Sequence, residues 1–353
     1  MVRGLKARVL LIGLLPALLA ASQPAGSAAA PAALAPAKYG VNQDLEWDPP
    51  EQIGPEIELM KSAGVEWLRL PLRWQWLEPA PDRFHWERLD NVVDRVSGAG
   101  LKILAVLGGT PAWSSGVDAR GLSSGVHLDA FAPARDGDFA DYVSRVVQHF
   151  RGRVQAYELF NEPNSPNHWQ PSPDAARFIE LLCAGYRAAR AADPHSVIVA
   201  GGLNGNGLSQ GPGASAARNF LKTIDAGEGR RCFDVVAIHP FVHPTEMGLR
   251  GLQAWVDETR RYMKTVGDSR ELWLTEVGWS TGQRQWGHAT ISEQEQAAWV
   301  QTVYRDLEGV QKIFWYNFKE VRPHPTDAEF QWGWLRSDLE PKAAYWSFAG
   351  IPK

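Results

Sequence analysis

From Lys38 onward one unit recurs eight times: a short apolar run, a loop, an amphipathic stretch, then the next apolar run. The runs are Tyr39–Asn42, Trp67–Leu72, Lys102–Leu107, Val154–Phe160, Val197–Ala200, Val235–His239, Leu272–Glu276 and Ile313–Asn317. Each is almost continuously apolar, which fits strands buried on both faces, as in a parallel sheet covered by helices. The stretches between them have helical spacing: Glu56–Ala63, Leu89–Ala99, Phe139–Phe150, Ala175–Ala192, Arg218–Ala226, Leu252–Val266, Glu293–Leu307 and Lys342–Ala349. Gly64, Gly100 and Asp193-Pro194 supply stop signals, while Pro173-Asp174 and the capping box Ser292-x-x-Glu295 supply starts. This alternation predicts an α/β chain folded as one (β/α)8 TIM barrel over residues 38–353. An open doubly wound sheet would want a glycine-rich phosphate turn after its first strand, and Asn42-Gln43-Asp44 is nothing of the kind.

The barrel is preceded by a different composition. Arg3, Lys6 and Arg8 lead into the apolar stretch Val9–Ala21, and small residues fill Ala20–Ala30. That stretch is shorter than the roughly 20 residues a membrane-spanning helix needs. It predicts a signal peptide within residues 1–30, a disordered Ala/Pro-rich tether over 31–37, and a secreted or extracytoplasmic protein. Export would permit a disulfide between Cys183 and Cys232, the only two cysteines; two separately buried thiols remain the alternative. A net charge of −4 gives no reason to expect nucleic acid or an anionic membrane as partner. No Cys or Cys/His cluster has metal-ligand spacing, so neither metal nor cofactor is expected. Trp is abundant, with 16 residues, and flat amphipathic rings suit both cores and sugar faces.

In a barrel of this kind the site forms where the strands exit. The residues expected there are Asn42, Arg69, Arg73, Trp74, Trp76, Thr110, Trp113, Asn161, Glu162, Asn204, His239, Glu276, Trp279, Trp315 and Asn317. Long connections over 108–138, 163–173 and 278–291 would wall the cleft. In Y-E-L-F-N-E-P-N, Tyr157–Asn164, Pro163 forbids the ladder from continuing, so Asn161 and Glu162 sit where a strand becomes a loop. Alternation would place Ala156, Glu158, Phe160 and Glu162 on one face, with Glu158 a polar plug low in the barrel. Glu276 repeats this logic at the exit of Leu272–Glu276, across the barrel. Two carboxylates flanking one pocket are the working parts of glycosidic bond cleavage, one protonated and one ionised, and a neighbouring negative charge raises the acid's pKa. Arg69 would grip Glu276 through a charged fork, or else form a structural ion pair beneath the mouth.

These motifs resemble clan A of the glycoside hydrolases. The likeness rests on F-N-E-P-N at Glu162, L-T-E-V-G-W at Glu276, W-L-R-L-P at Arg69, Thr110-Pro111-x-Trp113, A-I-H-P at His239 and I-F-W-Y at Trp315. Leu77-Glu78-Pro79 and the N-E-P-N run are similar to family 39 or the cellulase-like family 5, and within family 39 to bacterial exopolysaccharide enzymes. The resemblance implies a retaining glycosidase acting on a poly- or oligosaccharide, and a monomer is the default expectation. It implies Glu162 as general acid/base and Glu276 as nucleophile. It also implies that Asn161 binds the sugar 2-hydroxyl, that Arg69 orients the nucleophile and that Trp315 forms the floor; their places at the strand exits make Arg69, His239, Trp113, Asn204 and Trp279 further candidate sugar contacts. A non-proline cis bond is expected at Trp315–Tyr316. Relatives frequently place a Tyr two residues after the histidine, where this chain has Phe241; Tyr316 or His243 would have to substitute. Trp47, Trp169, Trp286, Trp332 and Trp334 are further candidate platforms, and Glu320 a solvated loop acid or subsite contact. A carbohydrate-binding barrel without catalysis, a transglycosylase and a metal-dependent hydrolase are the rival readings.

Overall fold

A computed structural model describes Met1 and residues 38–118, 127–205, 212–242, 248–282, 291–321 and 327–353. The expected leader and tether, His243 and Trp286 lie outside the described residues, as do parts of two of the long connections. Among the described residues the strands are β1 (Tyr39–Asn42), β2 (Trp67–Arg73), β3 (Lys102–Gly108), β4 (Ala156–Leu159), β5 (Val197–Ala200), β6 (Leu203–Asn204), β7 (Val235–His239), β8 (Glu271–Val277) and β9 (Lys312–Trp315). They pair in the order β5-β4-β3-β2-β1-β9-β8-β7-β6, every pairing is parallel, and β5 also meets β7 at Val199–Val235, so the sheet closes. β5 and β6 form one stave bent at Gly201-Gly202, which leaves eight staves.

The helices are α1 (Pro50–Ala63), α2 (Trp74–Leu77), α3 (Glu87–Gly98), α4 (Ala112–Ser115), α5 (Asp136–His149), α6 (Ala175–Ala192), α7 (Pro212–Ala226), α8 (Gly248–Thr265), α9 (Glu293–Asp306) and α10 (Ala343–Ala349). The start and stop signals act as chemistry dictates. Asp174 accepts from the N–H groups of Ala176 and Arg177. Ser292 and Glu295 form the reciprocal cap, and Gly64 closes α1 at φ +83°. That helix runs through Pro55, so the sequence reading starts it too late.

Strand alternation divides the core in two. Outward residues such as Leu68, Leu70, Leu72, Ile103, Leu107, Ile198 and Leu274 pack beneath the helices. Inward, Trp67, Leu104, Ala156, Val197, Val199, Val235, Ala237, Trp273 and Phe314 fill the lower barrel. One step up each strand the inward positions turn polar: Arg69 follows Trp67, Glu158 follows Ala156, His239 follows Ala237 and Thr275 follows Trp273. These four are all buried. Glu158 is a plug, but it lies directly under the mouth rather than low in the barrel.

Of the two readings left open for the cysteines, the structure takes the disulfide. Cys183 in α6 bonds Cys232 across a separation of 49 residues. In the chain-entropy picture a loop of that length stabilises the fold by about 4 kcal/mol.

Candidate active site

Glu162 reaches the mouth through a break in alternation. β4 ends at Leu159, and Phe160 takes φ +65°. Its ring turns outward against Phe139 at 4.7 Å, Trp169 at 5.5 Å and Phe178 at 6.2 Å, so it does not share the face of Glu158. Glu162 itself sits at φ +45°. Left-handed non-glycine residues cost about 1–3 kcal/mol each and persist where surroundings over-determine them. Here the N–H of Phe160 donates to Leu107 O (2.8 Å) and that of Glu162 to Gly202 O (3.2 Å). Gly201 makes the close crossing possible, since a Cβ there would lie 2.8 Å from the carbonyl oxygens of Leu159 and Phe160.

Glu276 arrives by another device. Simple alternation from Trp273 would aim it outward. Between Leu274 and Val277 the β8–β9 register shifts, three steps on β8 matching two on β9. This bulge re-aims Glu276 into the barrel mouth, as bulges beside active sites do.

Between the two exits Arg69 spends all five of its N–H donors. Nε and Nη2 form a fork on Glu158 (2.7 and 3.3 Å). Nη1 donates to Asn42 Oδ1 (2.8 Å) and Glu276 Oε1 (2.6 Å), and Nη2 also to Asn161 Oδ1 (2.8 Å). The expected fork on Glu276 is therefore on Glu158, and Glu276 receives a single strong bond. Arg69 has no donor left for a sugar. Asn161, with its Oδ1 held, keeps its amide NH2 for one.

On the other side, Glu162 Oε1 meets His239 Nδ1 at 2.9 Å. Its Oε2 accepts from Asn204 Nδ2 (2.6 Å) and lies 3.4 Å from His168 Nε2. The other ring nitrogen of His239 is 2.9 Å from Thr275 Oγ1, which donates to Glu158 Oε1 at 3.2 Å. That donation settles a proton. Glu158 Oε1 already accepts from Arg69 and from the Gly202 N–H (2.8 Å), so the single hydroxyl proton of Thr275 points at it. His239 Nε2 must then carry hydrogen, and one proton is shared along the Nδ1···Oε1 line to Glu162. Burial opposes a charged ring, yet Glu276 and Glu162 outweigh it and hold His239 above its usual value. Burial would likewise raise the Glu162 carboxyl, but His239, His168 and Asn204 hold it below the usual range. Both directions favour an imidazolium beside a carboxylate over a neutral pair. The expected upward shift of the acid is reversed because a histidine, not only a second carboxylate, stands beside it.

The two acids meet. Glu162, His239 and Glu276 each bring a ligand-type atom within 4.8 Å of the others, and both glutamates keep a small exposed edge (5 % and 8 %). That spacing is one a divalent cation can use, although Arg69 and His239 already bond to the two carboxylates.

Several expected sugar contacts are placed elsewhere. Trp315 is fully enclosed beneath the helices, because β9 alternation sends Phe314 inward and Trp315 outward. Trp279 stacks on Trp299 (4.6 Å) and donates to Val242 O (2.8 Å), also enclosed. His239 is wholly buried with both nitrogens engaged, and Asn204 serves Glu162. Trp113 is half-buried, its N–H on Glu78 O (2.9 Å). Trp169 and Trp334 are core residues, and Glu320 is neither solvated nor a subsite acid but pairs with buried Lys342 at 2.8 Å. The non-proline cis bond falls at Tyr316–Asn317, one residue later than expected.

Thr275 and Glu158 are the site residues that sequence reasoning missed or misplaced, whereas Tyr316, expected as a substitute for the absent tyrosine, does lie near Glu276. Tyr316 follows Phe314 on the inward face and forms a three-ring wall with Phe241 (6.2 Å) and Trp332 (5.7 Å), while Phe241 and Trp332 meet at 5.5 Å. Burial and the nearby Glu276 push the Tyr316 phenol up. Period-two counting from Phe314 and Trp273 was the available signal.

A closed parallel barrel with two glutamates at opposite exits defines a (β/α)8 fold of the clan A glycosidase type. Residues 134–335, more than half of the chain, match the glycosyl hydrolase catalytic core family, and the chain belongs to that family. Residues 44–116 match a β-galactosidase family. The β-galactosidase BbgII of Bifidobacterium bifidum is 26% identical over 161 residues, 41% of this chain and 23% of that enzyme. Among solved structures, a family 39 glycoside hydrolase from the gut symbiont Bacteroides cellulosilyticus WH2 aligns with TM-score 0.67 and 23% identity, over 88% of this chain and 62% of that one. A monomeric β-xylosidase from Caulobacter crescentus CB15 aligns with TM-score 0.64 and 16% identity, over 91% and 69%. The chain thus spans about a quarter of the β-galactosidase and under two thirds of the family 39 enzyme.

Proposed function

We propose that this chain is a retaining glycoside hydrolase that cleaves β-linked poly- or oligosaccharides by double displacement. The observation that carries the reading is the meeting of Glu162 and Glu276 within 4.8 Å, each delivered by a separate backbone device. Such proximity suits a nucleophile and an acid/base flanking the scissile bond, rather than two carboxylates parted by a water. Glu276, oriented by Arg69, attacks the anomeric carbon. Glu162 protonates the leaving oxygen with the proton it shares with His239. Once Glu276 is esterified, Glu162 takes a proton from water as the water oxygen attacks the anomeric carbon and releases Glu276 as carboxylate, and that proton restores the pair. Asn161 offers its amide to the sugar 2-hydroxyl, and Tyr316 takes the floor position expected of Trp315. The names of the β-galactosidase and β-xylosidase relatives support the β-linkage. An exopolysaccharide substrate, a monomeric state and export belong to the same proposal, and the disulfide supports export.

A 2-deoxy-2-fluoroglycoside with an activated leaving group tests it. Peptide mapping is expected to find the sugar on Glu276, and a label on any other residue, or product of inverted configuration, sinks the mechanism.

A further inference from the structure

Sixteen tryptophans invite the question of which ones the core does not use. Among the described residues, three indoles are strongly exposed: Trp47 (48 %), Trp76 (53 %) and Trp346 (64 %). Trp346 lies on α10, away from the strand exits. The other two lie on the catalytic face, Trp47 on the connection after β1 and Trp76 in α2, directly after β2. Their rings meet edge to face, with centroids 5.4 Å apart and planes at 78°. Arg88 covers Trp47 at 5.3 Å, so the pair forms an open corner with one wall already backed by a cation.

The corner is held in place. Arg73, at the end of β2, pairs with Asp44 just before Trp47 at 2.5 Å. Lys319, on the exit of β9, reaches Asp48 just after Trp47 at 2.6 Å and Glu56 of α1 at 2.7 Å. Burial outweighs Lys319 and holds Glu56 at about 8, a neutral acid at pH 7, so this cluster balances its charge. β1 and β2, which lead into Trp47 and Trp76, carry Asn42 and Arg69, which are bonded to each other, and Arg69 also bonds Glu276. The Trp corner and the nucleophile therefore share one rigid support. Two adjacent indoles left half in water, on braced connections, forgo burial that the core could have used.

We propose that Trp47 and Trp76 form a distal subsite that stacks one pyranose ring of the glycan chain being cleaved, away from the scissile bond. The proposal rests on the glycosidase reading and adds to it a substrate longer than the catalytic pocket. Sugar C–H faces suit an exposed indole, and the perpendicular second ring with Arg88 supplies a wall with donors for hydroxyls.

The test compares kcat/KM on 4-nitrophenyl β-glycosides (galactoside, xyloside, mannoside) with kcat/KM on xylan, galactomannan and mixed-linkage β-glucan. The ratio of polymer to aryl glycoside is expected to fall roughly tenfold in Trp76→Ala and Trp47→Ala. Trp346→Ala should keep the wild-type ratio. Affinity electrophoresis in the same polysaccharides reads the corner without turnover, and the two variants should lose retardation. An active wild type whose ratio and retardation survive both substitutions overturns the subsite alone. A wild type that hydrolyses no glycoside overturns the catalytic reading, and the gel then decides the subsite by itself. Altered sedimentation in the Trp variants with unchanged retardation would make the corner a self-association surface and also overturn it.

Discussion

The exits of β4 and β8 deliver the same residue type to one pocket by different means. Glu162 is turned by two left-handed residues that glycines beneath them accommodate, whereas Glu276 is turned by a bulge. Their partners differ as much as their routes. Glu276 is gripped by a guanidinium that cannot give up a proton. Glu162 shares a proton with an imidazole that can. A pocket of two alike carboxylates is thereby made unequal by second partners, the inequality that the proposed division into nucleophile and acid requires.

Removing each acid breaks the comparison most sharply. Glu276→Gln is expected to lower kcat on aryl glycosides on the order of 10⁴-fold, read by initial rates, with no rescue. Glu162→Ala should lose about 10²–10⁴-fold on poor leaving groups and less on activated ones. Added azide should restore it, yielding a glycosyl azide of retained configuration. If azide rescues Glu276→Ala in that way instead, the roles are exchanged. Gly202→Ala probes the β4 side without touching either acid. Its Cβ would lie 2.0 Å from His239 Nε2 and 2.6 Å from Thr275 Oγ1. Displacing that pair by such an amount should lower kcat roughly 100-fold while circular dichroism stays native.

Finer effects follow from the proton. His239 faces Glu158 and Glu162 from β4, Thr275 and Glu276 from β8 and Arg69 from β2. Thr275→Val removes the acceptor for its Nε2–H, which disfavours the charged ring. The alkaline limb of the kcat/KM profile should move to lower pH, by about one unit at most. An unmoved limb would remove His239 from proton storage.

The smallest effect is on stability. Glu162 is held below 4.5 and His239 above 6.5, their ordinary values. The lowered acid contributes stability above 4.5 that is lost as pH falls through its folded value. The raised histidine contributes stability below 6.5 that is lost as pH rises through its own. The Tm gap between wild type and His239→Asn should be widest between these limits and narrow on both sides.

The barrel was legible because eight apolar runs and their punctuation admit little else, and both acids were legible because each ends such a run. What escaped the reading were the places where period two fails or shifts. Phe160 turns out through a backbone angle that no composition announces, and the β8 bulge has no residue signature in Thr275-Glu276. Trp315, expected at the mouth, turns outward beneath the helices because the register is one position off. The sharing of Arg69 between Glu158 and Glu276 depends on three strands meeting, which no single stretch of sequence contains.

Arg69 has a last consequence. With five acceptors around five N–H groups, the hub is saturated, and a lysine there could satisfy at most three of them. On the glycosidase reading, selectivity among sugars is therefore left to the rim, to loops free to vary above a fixed hub.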